Sequence, residues 1–393
     1  MAGNEQVEPN LKHVKTLRTV LLCVAVFAAT LVTTIVLLQP VKTLVATGAN
    51  DFLSFYAGGR LAFDPGLYNP ERIQEVQKQA AGVSTRTLPF TRLPVFAALW
   101  WPLAQAPYAA AYAIWQIAGL FAVVVFVAIW RASPRHSVLL ALVASIPLQW
   151  SFANAQDLPW LLVCIAIALR LLSAGSQFWA GASLSLCLSK YHLILVIAFM
   201  LLLNRNRQIR TGFLCGFLLL LSLSFATAGI DWPQSYVSLL LNADIDATLV
   251  HPNLFGLLSY FDRSHVTVGM TLACLAWILY LIGRRATTEI SLGTAILCSL
   301  LVTPHLFVQD LVLLLPICLV TLKTSSSEFT RLSALWLLTP FPYIFELALP
   351  FPAGQGITLG MLLMLIGIAR EQVAKAELPQ TLHTANLESS SAR

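Results

Sequence analysis

Long apolar runs broken by short polar stretches set the pattern of this chain. The runs fall at 19–38, 109–130, 137–151, 158–172, 178–203, 211–229, 265–283, 288–302, 310–322, 332–348 and 357–369. A helix of about 20 apolar residues is long enough to cross a hydrocarbon core of about 30 Å. The pattern therefore predicts an all-α polytopic membrane protein. The run 178–203 is interrupted by Ser189-Lys190-Tyr191-His192. Read as one helix, it puts Arg205, Arg207, Arg210, Arg284 and Arg285 across the membrane from the basic N-terminus. Read as two short spans meeting at Lys190, it puts every basic cluster on the N-terminal side, as cytoplasmic loops require. The second reading gives about 12 spans and two cytoplasmic termini. A helix of about 12 residues is only about 18 Å long, so Lys190 would sit recessed in a protein-lined cavity.

This topology divides the chain into a cytoplasmic tail (1–17), one transmembrane domain (18–370) and a polar cytoplasmic tail without expected structure (371–393). Residues 39–108 form a long outer loop. Within it, PERIQEVQKQA places Ile73, Val76 and Ala80 on one face of a short interfacial helix. TRLPVFAALWWPLAQ is bracketed by prolines and predicts an interfacial or re-entrant segment, with Trp100 and Trp101 near the headgroups. The alternative for 19–38 is a cleaved signal peptide. Its apolar run is longer than the usual h-region of about 7–15 residues.

Composition agrees with the membrane reading. Of the 393 residues 58% are hydrophobic and 11% charged, with a mean hydropathy of +0.76. The net charge of +6 reports topology, not nucleic-acid binding. All seven cysteines lie in apolar segments and read as small core or lipid-facing side chains. No metal motif, Walker A, GxSxG or dinucleotide fingerprint is present, so nothing points to a nucleotide-driven pump.

Polar residues between the spans all face one way in this topology. Irregular polar backbone at membrane depth is tolerated only inside protein or around a wet cavity. GANDFLSFYAGGR holds Asp51, which is either a helix N-cap or a base. Phe55 and Gly58 share its helical face, and Gly58 and Gly59 permit close backbone approach. Lys190 and His192 interrupt an apolar run, where an ionisable group is costly; the alternative is a lysine snorkelling to the surface. In FANAQD, Asn154, Gln156 and Asp157 can bind sugar hydroxyls, or Asp157 can cap the next helix. His251 and Asn253 sit in VHPNLFG, and His305 and Asp310 in TPHLFVQD. Asp310 either orients His305 or caps its own helix. Gly212-xxx-Gly216 and Gly356-xxx-Gly360 read as helix-packing motifs.

Several of these segments, in order, resemble glycosyltransferase family 87. They are DFLSFYAGGRLAFDPGLY, FTRLPVFAALWWPLAQAPYAAAYAIW, FANAQDLPWLL, WAGASLSLCLSKYHLIL and TPHLFVQDLVLLLP. The chain departs from the family pattern at Ala155, where glycine is typical, and at Tyr191-His192. The resemblance implies a GT-C-like bundle and an inverting transfer from a polyprenyl-phosphate-linked sugar, typically mannose, to a lipid or glycan acceptor. It implies Asp51 as general base, and Lys190, His305 and Arg60 on the donor phosphate. Tyr56, Asn154, Gln156, Asp157, His192, His251, Asn253 and Asp310 would line the sugar and acceptor. The donor arrives activated, so no cofactor is expected; a lone acid is a poor ligand set for a divalent cation, which stays open. The implied setting is a bacterial-type plasma membrane with the site facing outside, and partners limited to lipids and glycans, without nucleic acid. The competing readings are a flippase or transporter of a lipid-linked sugar and a non-catalytic relative. A transporter favours internal repeats, and no clear repeat is seen.

Overall fold

A computed structural model describes residues 50–81, 87–203, 206–242, 251–261, 288–303, 305–350 and 353–391, with helical residues scattered through 21–39 and 268–278. The expected N-terminal tail, part of the span at 19–38 and most of the span at 265–283 lie outside the described residues. What is described is helical, with no strand among the described residues.

Three helices among the described residues are long and apolar enough to cross a membrane, Tyr108–Ile129, Arg207–Ala228 and Gly356–Lys375. Each keeps an apolar face outward. Ile114, Ile117, Phe121 and Val124 are exposed on the first, while Ala111, Gly119, Ala122 and Phe126 are buried. A soluble protein does not leave such a stripe uncovered; here it is the lipid-facing surface of a membrane protein.

Elsewhere the apolar runs are broken into shorter helices, for local reasons. The run at 137–151 is Arg135–Ala144 and Ile146–Ala153, bent by 60°. Pro147 sits in the first turn of the second helix, and Ser145 caps it by accepting the Leu148 N–H at 3.2 Å. The run at 178–203 is Gln177–Ser185, a 3-10 turn at Leu186–Lys190, and Tyr191–Leu203. The 3-10 turn falls where the polar residues interrupt the run. The run at 310–322 opens with a 3-10 turn, Val308–Leu313, and the run at 332–348 breaks between Leu338 and Phe341. The last helix runs Gly356–Ser391, past its expected end near 369 and through the tail expected to lack structure. Ala, Glu, Gln and Leu in that stretch are good helix formers.

Side chains pack into two apolar clusters. The larger one includes Phe126, Leu158, Leu162, Leu193, Leu300 and Met364. The smaller one is aromatic, built from Phe52, Phe55, Tyr68, Phe90, Trp100 and Tyr236. It joins the helices Phe52–Arg60, Pro70–Ala81 and Pro94–Ala104. Phe55 and Trp100 stack at 4.5 Å and 3°, a pairing worth about 0.5–1.5 kcal/mol beyond burial. So Trp100, expected near the headgroups, is a core residue; Trp101 beside it is 45% exposed. Gly59 makes the contact possible, since a Cβ there would stand 2.9 Å from the Trp100 carbonyl oxygen. Gly181 and Gly212 play the same part for Gln177–Ser185 against Arg207–Ala228, each facing the other helix's backbone.

Candidate active site

The two clusters meet at a polar seam. Ala155 belongs to the smaller cluster and Leu158 to the larger one, and Leu188 packs against both. Gln156, Asp157 and Lys190 therefore sit at the junction, and Asp51, Arg92 and Asp310 converge on it. A seam between two packed apolar bodies is where polar side chains can be shielded from lipid and still reach a cavity.

Asp51 stands before the first turn of the Phe52–Arg60 helix, but its side chain makes no cap bond. Asn50 does that work, accepting the Phe52 N–H at 3.1 Å. The part-buried Asp51 carboxylate instead accepts a hydrogen bond from the Gln156 amide. Burial raises its pKa above the usual carboxylate value; Lys190, the Gln156 bond and Arg92 pull it down, and Asp310 pushes it up.

Gln156 is aimed by an unusual turn. Ala155 lies in the left-handed region, with φ 52°, and the Gln156 N–H donates to the Ser151 carbonyl at 2.8 Å. Glycine adopts this conformation freely and alanine does so at about 1–2 kcal/mol. The turn needs that conformation whichever residue supplies it. Gln156 Oε1 is buried and has no hydrogen-bond partner among the described residues.

Two buried ion pairs flank Asp51. Lys190 Nζ donates to Asp310 Oδ1 at 2.7 Å, with both side chains at most 5% exposed. Asp310 Oδ2 also accepts the Phe307 N–H at 3.0 Å, so it caps its 3-10 turn and pairs with Lys190 rather than orienting His305. Lys190 does not snorkel. Arg92 Nη2 donates to Asp157 Oδ1 at 3.1 Å, and Asp157 makes no cap bond to the helix it precedes.

The histidines form a row. The His305 ring lies 5.8 Å from His192 and 5.6 Å from His251. His251 Nδ1 lies 2.9 Å from the Leu306 carbonyl oxygen and 3.4 Å from the Leu306 N–H, so the ring is held against that backbone unit. Burial lowers the His305 pKa, and the His251, Lys190 and Arg92 charges lower it further against the pull of Asp310. His305 is thus a neutral hydrogen-bonding group near pH 7.

Other expected residues serve the scaffold or stand apart. Asn253 donates to the Leu300 and Thr303 carbonyls at 3.1 and 2.7 Å and accepts the Gly256 N–H at 2.9 Å. It is a fully buried tie between two helices. Asn154 donates to the Trp150 carbonyl at 3.1 Å, and the Tyr56 hydroxyl to the Ala106 carbonyl at 2.9 Å. Arg60 is exposed at the end of its helix and is not joined to the seam. No cluster of His, Cys, Asp or Glu among the described residues is arranged to hold a metal ion. Arg92 is the residue that sequence reasoning missed. Its signal was a lone arginine in an apolar stretch, the same signal that singled out Lys190.

The model of glycosyltransferase family 87 matches residues 90–308, more than half of the chain. The chain belongs to glycosyltransferase family 87. No curated protein and no solved structure matches it. The family match covers Arg92, Gln156, Asp157, Lys190, His192, His251 and His305, and the fold brings Asp51 and Asp310 to them from outside the matched segment. Family membership makes the protein a glycosyltransferase, and its lipid-facing helices make it one of the membrane.

Proposed function

We propose that this family 87 enzyme moves a hexose, a mannose unit, from a polyprenyl-phosphate donor to a lipid or glycan hydroxyl at the outer face, with inversion. The twelve-span GT-C-like bundle, with cytoplasmic termini, is part of the same proposal. One observation carries it. Of the acids at the seam, Asp157 is paired with Arg92 and Asp310 with Lys190, whereas among the described residues Asp51 holds only a neutral amide.

An acid outside these two ion pairs, with a pKa raised by burial, is the better proton acceptor. In the proposed step the acceptor hydroxyl gives its proton to Asp51. Its oxygen forms the new bond to the anomeric carbon, and the bond to the lipid phosphate breaks on the opposite face. The phosphate leaves with the electron pair. Lys190 supplies positive charge for it and His305 a neutral N–H donor; such preorganised groups stabilise charge as it develops. Binding of a phosphate would loosen Lys190 from Asp310. The orphan Gln156 Oε1 is placed to accept from a substrate hydroxyl, while its amide N–H holds Asp51.

The test is transfer from a panel of labelled polyprenyl-phosphate sugars by purified, reconstituted enzyme. Asp51→Asn is expected to insert normally and lose transfer by at least about 10²-fold, the low end of what a positioned base supplies. Near-wild-type turnover in Asp51→Asn would rule out the base.

A further inference from the structure

We propose that Arg92 is a positioning residue: its guanidinium fork fixes the base-bearing and the cation-bearing segments of the site relative to each other. The inference rests on Asp51 and Lys190 acting as described above.

Each contact of the fork lands beside a group of the site. Nη2 donates to Asp157 at 3.1 Å, and Asp157 directly follows Gln156, the partner of Asp51. Nη1 donates to the Ser189 carbonyl at 2.6 Å, and Ser189 directly precedes Lys190. The guanidinium carbon lies 5.5 Å from the centre of the Phe55 ring, and Phe55 donates its N–H to the Asp51 carbonyl at 3.4 Å. One side chain thus touches the Asp51 helix, the Gln156 turn and the Lys190 turn. A planar fork can hold two acceptors in fixed directions while stacking on a ring; a lysine ammonium cannot.

The backbone that carries Arg92 is itself held. The Tyr68 hydroxyl donates to the Arg92 carbonyl at 2.7 Å, and the Tyr236 hydroxyl to the Thr91 carbonyl at 3.1 Å. The Val95 N–H reaches Ser224 Oγ at 3.4 Å. With Arg92 and Asp157 side chains 7% and 6% exposed, the fork is buried among its partners. It acts through them, and the substrate is left to Asp51, Lys190 and Gln156.

Geometry and charge separate in the test. Asp51 is faced by Lys190, Arg92 and Asp310, with Gln156 bonded to it. Removing the Arg92 cation deprives the Asp51 carboxylate of one favourable charge, so its proton is held more tightly. Arg92→Met is therefore expected to lower kcat by about 10²-fold, the scale of a misplacement of about 1 Å, with little change in donor KM. It also moves the acid limb of the kcat profile to higher pH. Arg92→Lys keeps a cation, so its acid limb stays near wild type while kcat still falls by about 10²-fold. Asp157→Asn, which leaves Arg92 charged but weakens one tine, falls between.

The assay follows transfer from labelled polyprenyl-phosphate mannose in proteoliposomes, with donor concentration and pH varied. Should Arg92→Met give no folded protein, Arg92→Lys and Asp157→Asn decide. Wild-type kcat in the folded variants, beside an inactive Asp51→Asn, overturns the fork alone. A fall in kcat that Arg92→Lys fully restores overturns it too, because charge and not geometry would then be what matters. An active Asp51→Asn overturns the base assignment and this inference with it.

Discussion

Asp310→Asn isolates one charge in the buried pair with Lys190. The amide keeps an acceptor oxygen for the Phe307 N–H, which Asp310 accepts at 3.0 Å. It leaves the Lys190 ammonium, 5% exposed, without its partner at 2.7 Å. Breaking a buried pair from one side destabilises by about 3–5 kcal/mol, because the remaining charge is desolvated and uncompensated. Asp51 faces Lys190 and bears on the same charge, so the lower end, about 3 kcal/mol, is expected here. Removing both charges with Lys190→Met and Asp310→Asn leaves neither charge uncompensated and keeps an acceptor for the Phe307 N–H. That double variant should return to within about 1 kcal/mol of wild type, since removing both charges of a buried pair is often neutral. It should also be inactive, as it lacks the cation for the leaving phosphate. The measurement is equilibrium unfolding in mixed detergent micelles, as a double-mutant cycle. An Asp310→Asn loss under about 0.5 kcal/mol, the range of surface substitutions, would show that the pair is solvated. A double variant as unstable as the single would refute the desolvation argument.

Other expectations follow from the same geometry. Asp51 must be ionised to accept a proton, and burial raises its pKa; turnover should therefore fall with acid at a pH above the ordinary carboxylate value of 3.8. Because a raised pKa means the fold favours the protonated form, Asp51 opposes folding above that pH, and Asp51→Asn should melt no lower than wild type at neutral pH. A limb at or below the ordinary value, or a much lower melting temperature, would contradict this. Ala155→Gly should keep turnover, since φ 52° suits glycine. Ala155→Val, which that conformation strains, should move Gln156 and lower turnover about tenfold, the equivalent of about 1.4 kcal/mol. Gly212→Leu would push a side chain into the Phe178 backbone; a loss of at least about 1–3 kcal/mol in the unfolding assay is expected from overpacking.

Membrane class, helix periodicity and the approximate edges of many helices were legible from the apolar runs alone. The reason is that hydrocarbon imposes a length and a composition on any helix that meets it. One interruption was legible too: the polar tetrad at Ser189–His192 marks the 3-10 turn, whereas the run at 137–151 was read as continuous and bends after Ser145. Local pattern also singled out Asp51, Gln156, Lys190, His305 and Asp310. What it could not decide was their pairing. Asp51 and Asp157 each stand at a helix start, where sequence allows a cap or a partner, and both turned out to use a side chain from elsewhere. Asp310 does both at once. Asn253 looked like a ligand-binding residue and is a buried tie, because its three bonds come from segments about 50 positions away and from its own turn. Arg60 and Arg92 show the difference most plainly. Both are lone arginines near the first motif. Arg60 ends a helix that points it outward, whereas Arg92 lies on a segment pinned by Tyr68 and Tyr236 and is turned into the seam. Sequence determined which residues are costly to bury in this membrane protein. Only the tertiary structure decided which of them share that cost, since a charge finds its partner through space and not along the chain.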